Sequence, residues 1–259
     1  MLNTRDTVLI TGASAGLGAE LAKLFAAEGG SLVLVARRQD RLDELARDLQ
    51  SRCTVGVRTI SKDLSRPEAP REIFDELSQA GIPVDVVVNN AGFGAHGQFT
   101  ELPADRQMQM IQVNIAALTH LTRLFLPGML ERGRGGILNV GSTAAFQPGP
   151  GMAVYYATKA YVLHFTEALG EELRGTPIKV TCLAPGPTTT EFAAKADLER
   201  SRLFSFGVMD APTVARAGYQ GFRQGRLIVI PGFKNRLLAF TVRLSPRAFV
   251  RQVTKRLNA

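Results

Sequence analysis

The chain has 259 residues, of which 45% are hydrophobic and 21% charged, and these ordinary values exclude a disordered or collagen-like protein. Its two cysteines, Cys53 and Cys182, lie far apart and have no CxxC or Cys/His neighbours, so we expect neither a disulfide framework nor a metal site. We interpret both thiols as small core side chains of a cytoplasmic protein. No apolar signal-peptide segment follows Met1, and we expect no transmembrane helix.

The net charge of +8 is distributed unevenly along the chain. Residues 211–259 contain ten Lys and Arg and no Asp or Glu, whereas residues 1–210 contain 21 basic and 23 acidic residues. The basic character therefore belongs to the C-terminal fifth of the chain, which needs an explanation of its own.

Short aliphatic runs alternate with amphipathic helical patterns from the amino terminus onwards. This alternation predicts βαβ units, and thus a single α/β domain with a doubly wound parallel sheet of about seven strands. Residues 1–231 form this domain, and residues 232–259 form a basic amphipathic helical extension. The predicted strands are Thr7–Thr11, Ser31–Ala36, Thr54–Ile60, Val84–Asn89, Gly136–Gly141, Ile178–Ala184 and Arg226–Ile230. The predicted helices are Gly16–Glu28, Gln39–Gln50, Pro67–Gln79, Pro103–Glu131, Met152–Arg174 and Pro212–Gln224.

A glycine-rich turn, Thr11–Gly18 (TGASAGLG), joins the first predicted strand to the first helix. Glycines at such a turn let the backbone approach a pyrophosphate, and the helix N-terminus supplies N–H donors and a positive dipole. The spacing is Gly-x-x-x-Gly-x-Gly and not the commoner Gly-x-Gly-x-x-Gly. A glycine-rich turn by itself also occurs for purely structural reasons.

The same turn contains Gly12-Ala-Ser14-Ala-Gly16, which matches the Gly-x-Ser-x-Gly nucleophile elbow of hydrolases. A hydrolase would need an acid and a histidine later in the chain. The histidines are His96, His120 and His164, and none lies in the last 95 residues, where the base is usually found. The positions of the histidines therefore disfavour Ser14 as a nucleophile.

A second group of candidate functional residues lies in the fifth predicted helix. Tyr155 and Lys159 are four residues apart and share one helix face, so the lysine cation is expected to lower the pKa of the phenol. Tyr155 could then exchange a proton with a carbonyl oxygen, and Ser142, at the end of the fifth strand, could hydrogen-bond the same oxygen. A Tyr-x-x-x-Lys pattern alone is usually just a solvated helix face.

The sequence contains, in this order, the glycine-rich turn, the segment Asn89–Gly92 at the end of the fourth strand, and then Asn114, Ser142, Tyr155 and Lys159. In this combination the sequence resembles the short-chain dehydrogenase/reductase family over about residues 5–231. The resemblance implies a Rossmann-type domain that transfers a hydride between a nicotinamide and a carbonyl or alcohol. By the family pattern Tyr155 is the general acid/base, Lys159 assists it and holds the nicotinamide ribose, Ser142 orients the carbonyl, and Asn114 anchors a water.

The resemblance also implies a set of cofactor-binding residues. The Pro185–Gly186 turn lies beside the nicotinamide, with Thr188 and Thr190 near the carboxamide and the pyrophosphate, and Asp63 with Leu64 takes the adenine position. The full set is Gly12, Ser14, Ala15, Gly16, Leu17, Gly18, Arg37, Arg38, Asp63, Leu64, Asn90, Ala91, Gly92, Tyr155, Lys159, Pro185, Gly186, Thr188 and Thr190.

The end of the second strand bears on which nicotinamide cofactor is used. An NAD enzyme places a carboxylate there to accept hydrogen bonds from the ribose hydroxyls. This chain has Arg37 and Arg38 instead, and Asp40 and Asp43 come too late. Two guanidinium groups suit a 2′-phosphate, so NADP(H) is predicted, although the arginines could also merely solvate a helix start.

Three segments are expected to form the substrate wall: Phe93–Phe99, Phe146–Met152 and the loop 186–210. Their apolar content predicts a lipophilic carbonyl or alcohol substrate, such as a steroid-like, fatty-acyl or aromatic ketone. The alternative is that several of these side chains only pack a lid, that His96 is a plain loop residue and that Met152 belongs to the core. The apolar candidates are Phe93, Phe146, Met152, Phe192, Leu203, Phe204 and Phe206.

The basic extension alternates apolar and basic residues over 233–244 and 246–257. Such helices pack on the same chain or a neighbouring subunit, lie on an anionic membrane surface, or bind phosphate-rich ligands such as coenzyme A thioesters. We expect no nucleic-acid binding, because no recognition motif accompanies the charge.

The family resemblance favours a homodimer or homotetramer. A second hypothesis is a cofactor-bound regulatory protein that uses the extension to contact a membrane or partner.

Overall fold

A seven-stranded parallel sheet forms the centre of the molecule, as seen in a computed structural model that describes residues 6–191 and 207–258. The strands are β1 (Thr7–Thr11), β2 (Ser31–Ala36), β3 (Val57–Ser61), β4 (Val86–Asn89), β5 (Gly136–Val140), β6 (Lys179–Leu183) and β9 (Ile228–Val229), and a separate pair joins β7 (Thr188–Thr189) to β8 (Met209–Asp210). The strand order of the sheet is β3-β2-β1-β4-β5-β6-β9, so the chain winds outward from β1 in both directions. This order confirms the predicted doubly wound, Rossmann-type fold.

Helices cover both faces of the sheet. They are α1 (Gly16–Ala27), α2 (Gln39–Arg52), α3 (Ala69–Gln79), α4 (Ala104–Ile111), α5 (Leu118–Glu131), α6 (Ala153–Glu172), α7 (Ala211–Arg223), α8 (Phe233–Leu244) and α9 (Arg247–Asn258), with a 3₁₀ turn at Thr143–Phe146. No described helix combines the length and apolar character that crossing a bilayer requires.

The core consists of two layers because successive side chains of a strand point to opposite faces. In β1, Val8 and Ile10 belong to the layer beneath α1, α2 and α7, whereas Leu9 belongs to the layer beneath α3, α5 and α6. Both faces are buried along the central strands β1, β4 and β5, which explains why these strands appear in the sequence as largely aliphatic runs. Aromatic packing joins α1 to α7, where the Phe25 and Tyr219 rings meet edge to face with centroids 4.9 Å apart.

The structure corrects one predicted helix and the ends of several strands. The predicted helix Pro103–Glu131 is interrupted by a π-helical turn at Gln112–Ala117, a local irregularity that residue periodicity does not reveal. The strands β3, β4 and β9 begin two or three residues later than predicted, and β9 also ends one residue earlier, at Val229. Both cysteines are unpaired. Cys182 is buried in the core as expected, whereas Cys53 is only partly buried, at the end of α2.

Candidate active site

The carboxyl ends of the central strands open into one cavity of about 780 Å³. Ligands of doubly wound sheets bind at this edge, where the strand order reverses. Every cofactor or catalytic residue expected from the sequence lines this cavity except Gly18 and Asn114, which lie directly behind its wall. Segments distant in sequence thus meet in one place: the glycine-rich turn, the end of β2, the segment after β4, Ser142, α6 and the Pro185–Thr190 segment.

The glycine-rich turn has a backbone geometry that larger residues would disrupt. Gly12 has a positive φ of 65°, and a Cβ at Gly18 would lie 2.4 Å from the Gly12 carbonyl oxygen. The Asn90 side-chain amide donates to the carbonyls of Thr11 and Gly12 at 2.9 and 3.2 Å, which braces the turn against β4. Helix α1 then begins after Ala15, which supplies no side-chain cap, so its first N–H groups face the cavity as an anion site.

Gly18→Ala is expected to weaken NADPH binding at least about tenfold and to lower the free energy of unfolding by about 1–3 kcal/mol. The added methyl meets the Gly12 backbone, which cannot rotate away as a side chain would. The measurements are NADPH fluorescence titration and urea unfolding. Gly56→Ala is the matched control, because its Cβ would meet only ordinary contacts, 3.5 Å from Ser31 Oγ. Unchanged cofactor affinity in Gly18→Ala would contradict this account of the turn.

Tyr155, Ser142 and Lys159 lie together at the inner end of the cavity. Tyr155 is hydrogen-bonded to Ser142, and the Lys159 ammonium lies 5.9 Å from the centroid of the Tyr155 ring. Lys159 Nζ donates to the Val140 carbonyl at 2.8 Å, which fixes the lysine against the end of β5. Ser142 is oriented in turn by accepting from the Ala144 N–H at 3.1 Å. The group offers a phenol, a hydroxyl and a buried cation to one reacting atom.

Burial dominates the proton affinities of this group. It raises the pKa of Tyr155 well above the ordinary value, while the hydrogen bond with Ser142 acts in the opposite direction. This differs from the lowering by Lys159 that the sequence predicted, because the ring is desolvated and the ammonium points to Val140. Burial also lowers the pKa of Lys159 from 10.5 to about 8. At neutral pH the chain therefore presents a protonated phenol beside a cation.

Lys159→Met should change the pH dependence of stability in a definite direction. The pKa of Lys159 is lower in the folded than in the unfolded chain, so between pH 8 and 10.5 the unfolded state holds more protons. Wild type is therefore expected to gain stability relative to Lys159→Met as pH rises through this window. Urea unfolding of both proteins without cofactor at pH 7.5, 9 and 10.5 measures the difference, with exposed Lys23→Met as control. A pH-independent difference would contradict the buried-cation assignment.

Asn114 lies behind the wall and organises it. It sits in the π-helical turn, where its side-chain amide donates to the Phe93 carbonyl and to Thr158 Oγ1, each at 3.0 Å. Its Oδ1 also accepts from the Phe93 N–H at 3.1 Å. A Cβ at Gly92 would lie 3.0 Å from this oxygen and 3.4 Å from Lys159 Nζ. Asn114 thus connects the segment after β4 to the helix that carries Tyr155.

Two arginines face the cavity at the end of β2. Arg38 donates to Glu191 at 3.0 and 3.4 Å and to Ser14 Oγ at 3.2 Å, while Arg37 is exposed on the cavity wall. Asp40 and Asp43 follow the end of β2 by too many residues to serve as the carboxylate of an NAD site, and neither of them lines the cavity. The partner of Ser14 is an arginine, and no described hydrogen bond joins it to a histidine, which also disfavours the hydrolase alternative.

The remaining predicted cofactor residues close the cavity from two sides. Asp63 Oδ1 accepts from the Ser65 N–H at 3.0 Å and holds the turn that presents Leu64. On the other side the Thr190 methyl lies against Gly16, since a Cβ at that glycine would be 3.2 Å away. Thr188 Oγ1 donates to the Gly186 carbonyl at 2.9 Å, which shapes the turn after β6.

The cavity is also lined by residues that the sequence did not single out. Arg106, Gln109 and Val113 line it from α4 and the π-helical turn, and their spacing of three and four residues on one helix face was an available signal. Of the predicted apolar wall, Phe93 and Met152 line the cavity, whereas Phe146 packs into a core cluster with Leu163. The candidates Phe192, Leu203, Phe204 and Phe206 lie outside the described residues.

The chain is similar to several known proteins. The family profile described as short chain dehydrogenase matches residues 6–201. Sulfoacetaldehyde reductase 2 of Chromohalobacter salexigens is 42% identical over 189 residues, which cover 72% of this chain and 74% of that protein. A short-chain dehydrogenase from Sphingobium yanoikuyae in complex with NADPH superimposes with a TM-score of 0.83 at 36% identity, covering 91% of this chain and 92% of that one.

A bulky-bulky ketone specific alcohol dehydrogenase from Comamonas testosteroni also superimposes, with a TM-score of 0.79 at 31% identity over 96% of both chains. The profile match spans most of the chain, and these relatives are reductases and dehydrogenases, so the hypothesis of a purely regulatory protein is not retained. The protein belongs to the short-chain dehydrogenase/reductase family and is an oxidoreductase of alcohol and carbonyl groups.

Proposed function

We propose that the protein is an NADP(H)-dependent reductase of lipophilic carbonyl compounds, in which Tyr155 is the general acid/base. The observation that carries this proposal is the convergence of Tyr155, Ser142 and Lys159 at the inner end of the cavity that begins at the glycine-rich turn. Residues 1–231 form the cofactor-binding and catalytic domain in this proposal, with 186–210 as substrate loop and 232–259 as an extension.

The chain's own residues account for the proton side of the reaction. Bound NADPH supplies the hydride for the carbonyl carbon, and the developing alkoxide needs a donor in a site with little water. Ser142 and Tyr155 hydrogen-bond the substrate oxygen, and the Tyr155 hydroxyl transfers its proton to it. The Lys159 cation stabilises the phenolate left behind until Tyr155 is reprotonated. Asn114 acts here by fixing Phe93 and Thr158, and its proposed role in holding a water for this reprotonation comes from the family pattern.

NADP(H) fits the donor set at the end of β2. Arg37 and Arg38 provide guanidinium groups where an NAD enzyme needs a carboxylate, and the relative from Sphingobium yanoikuyae carries NADPH. The carboxylate that does approach, Glu191, is held by Arg38 itself. The Glu191 carboxylate thus binds the Arg38 guanidinium in the way that we expect the 2′-phosphate of NADP(H) to bind it.

A lipophilic substrate is supported by the apolar Phe93 and Met152 at the substrate end of the cavity. The Comamonas testosteroni relative, named for bulky ketones, points in the same direction. The test is NADPH oxidation against a panel of ketones graded by size and chain length, with Tyr155→Phe as the blank. Specificity constants that rise with apolar size support the proposal, and a preference for small polar aldehydes would overturn the substrate class while leaving the reductase intact.

Arg106 gives a specific reason to test a second substrate class. Its position on the cavity wall puts a cation near the expected substrate, and the relative from Chromohalobacter salexigens is named for an aldehyde that bears a sulfonate. The panel therefore includes matched pairs of carbonyl compounds with and without an anionic group. A preference for the anionic member that disappears in Arg106→Gln would assign the enzyme to that class.

We further infer a homodimer or homotetramer in the cytoplasm. We place the interface on α4–α5 and α6, which expose the large side chains Met108, Leu130 and Tyr161. The unpaired cysteines agree with a reducing compartment. Light scattering of the purified protein tests the assembly, and a monomer at micromolar concentration would contradict it.

A further inference from the structure

Helices α8 and α9 carry most of the exposed apolar surface of the described chain. Seven of its twelve exposed large hydrophobic side chains lie on these two short helices. Large exposed apolar side chains concentrated in one part of the chain point to an interaction site. The seven are Phe233, Leu237, Leu238, Phe240, Leu244, Phe249 and Val253.

On α8 the apolar side chains form a stripe that faces away from the protein. Phe233, Leu237, Phe240 and Leu244 follow the spacing i, i+4, i+7 and i+11, which places them on one helix face. Their exposed fractions are 77, 51, 58 and 73%, whereas Ala239, on the opposite side of the helix, is 6% exposed. The helix therefore packs on the protein through the side that carries Ala239, and its large apolar side chains face outward.

On α9 the contact with the rest of the chain uses a different face. Val250, Thr254 and Asn258 are buried at intervals of four residues. Asn258 anchors the helix end, because its side chain accepts from Tyr156 Oη at 3.1 Å and donates to the Pro150 carbonyl at 2.7 Å. Packing on the same chain, one of the roles considered for the extension, therefore accounts for this face but not for the exposed Phe249.

The charge on these helices identifies the kind of partner. They carry seven Lys and Arg, all exposed, and no acidic residue. On α8, Lys234 lies to one side of the apolar stripe, and Arg236 and Arg243 lie to the other. Two copies of this surface placed face to face would oppose fourteen cations without a counter-charge, which disfavours a second copy as occupant. Large apolar side chains flanked by cations instead match the interface of an anionic bilayer.

We propose that α8 and α9 form a peripheral docking surface for anionic phospholipid membranes. The phenyl and leucyl side chains of the stripe enter the acyl boundary, and the flanking Lys and Arg contact the lipid phosphates. The helices are amphipathic and short, so they lie on the bilayer.

The docking surface adjoins the active site at both of its ends. Asn235 of α8 lies against the Pro185–Gly186 turn, since a Cβ at Gly186 would be 2.6 Å from its Oδ1. Asn258 of α9 holds Tyr156, the neighbour of Tyr155. A lipophilic substrate dissolved in the membrane would thus be delivered close to the cavity, a consequence that rests on the proposed function, whereas the docking itself does not.

The test is co-sedimentation of the full-length protein with vesicles, which needs no turnover and so remains informative if the reductase proposal fails. We expect at least about tenfold more protein to sediment with phosphatidylcholine vesicles containing 30% phosphatidylglycerol than with pure phosphatidylcholine, and less at 0.5 M salt. Phe240→Ser with Leu244→Ser, and separately Arg243→Gln with Arg247→Gln and Arg251→Gln, should each abolish most of this binding.

Matched controls separate the docking surface from general stickiness. Phe99→Ser removes another exposed apolar group, outside the helices proposed for the subunit interface, and Arg41→Gln with Arg47→Gln and Arg52→Gln removes three charges from α2. These controls should bind vesicles like wild type, and thermal unfolding should show that all variants are folded. Equal sedimentation with both vesicle types, or binding that survives the serine substitutions, would overturn the proposal. So would a serine variant that changes only the mass in light scattering, since that face would then join copies of the chain.

Discussion

Tyr155→Phe is expected to lower kcat for carbonyl reduction by about 10²–10⁴-fold, the usual contribution of a positioned general acid. The substitution removes one hydroxyl, the group that is hydrogen-bonded to Ser142 and buried at the inner end of the cavity. It leaves the ring that packs edge to face on Tyr156, with centroids 6.1 Å apart. NADPH affinity should therefore change much less than turnover. Single-turnover NADPH oxidation and fluorescence titration measure the two quantities separately.

The matched control is Tyr161→Phe, further along α6. Its hydroxyl is exposed and shares a hydrogen bond of 2.9 Å with Thr119, outside the cavity. This variant should retain wild-type turnover. If Tyr155→Phe also kept most of its activity with every substrate that wild type reduces, the proton would have to come from another group, and the assignment of Tyr155 would be wrong.

The double variant Arg37→Ala with Arg38→Ala is expected to weaken NADPH binding on the order of 100-fold and NADH binding little. A hydrogen bond to a charged group contributes about 1.5–3 kcal/mol, and the two cofactors differ only in the 2′-phosphate that these guanidinium groups would bind. Titration of each variant with both cofactors gives the ratio of dissociation constants.

Arg41→Ala on α2 is the control, because this exposed arginine pairs with Glu44 and does not line the cavity. Equal losses of NADPH and NADH affinity in the double variant would show that the arginines support the fold of the turn and do not select the cofactor.

Since Arg38 holds Glu191 in the free chain, cofactor binding should also redirect that carboxylate. Glu191→Gln is therefore expected to tighten NADPH more than NADH.

The sequence alone determined the doubly wound sheet and the residues that meet at its carboxyl edge. Unbroken aliphatic runs alternating with amphipathic helices leave few alternatives, because parallel strands need a helical crossover and both sheet faces need cover. Gly12, Ser142 and Tyr155 all come directly after a strand or on the helix facing this edge, so their convergence follows from the topology. Local sequence patterns are sufficient to predict these elements because each strand or helix depends mainly on residues that are close together in the chain.

Tertiary structure decided whatever depends on neighbours that are distant in sequence. The π-helical turn at Asn114 is held by bonds to Phe93 and Thr158, and the raised pKa of Tyr155 follows from burial that no spacing reveals. Arg38 meets Glu191 across 153 residues, and Asn258 meets Tyr156 across 102. The amphipathic pattern of the extension was evident from the sequence, but which of its faces packs inward depends on the surface that the rest of the chain presents. The stripe of α8 stays exposed because this helix packs against the folded domain through Ala239, on its other side.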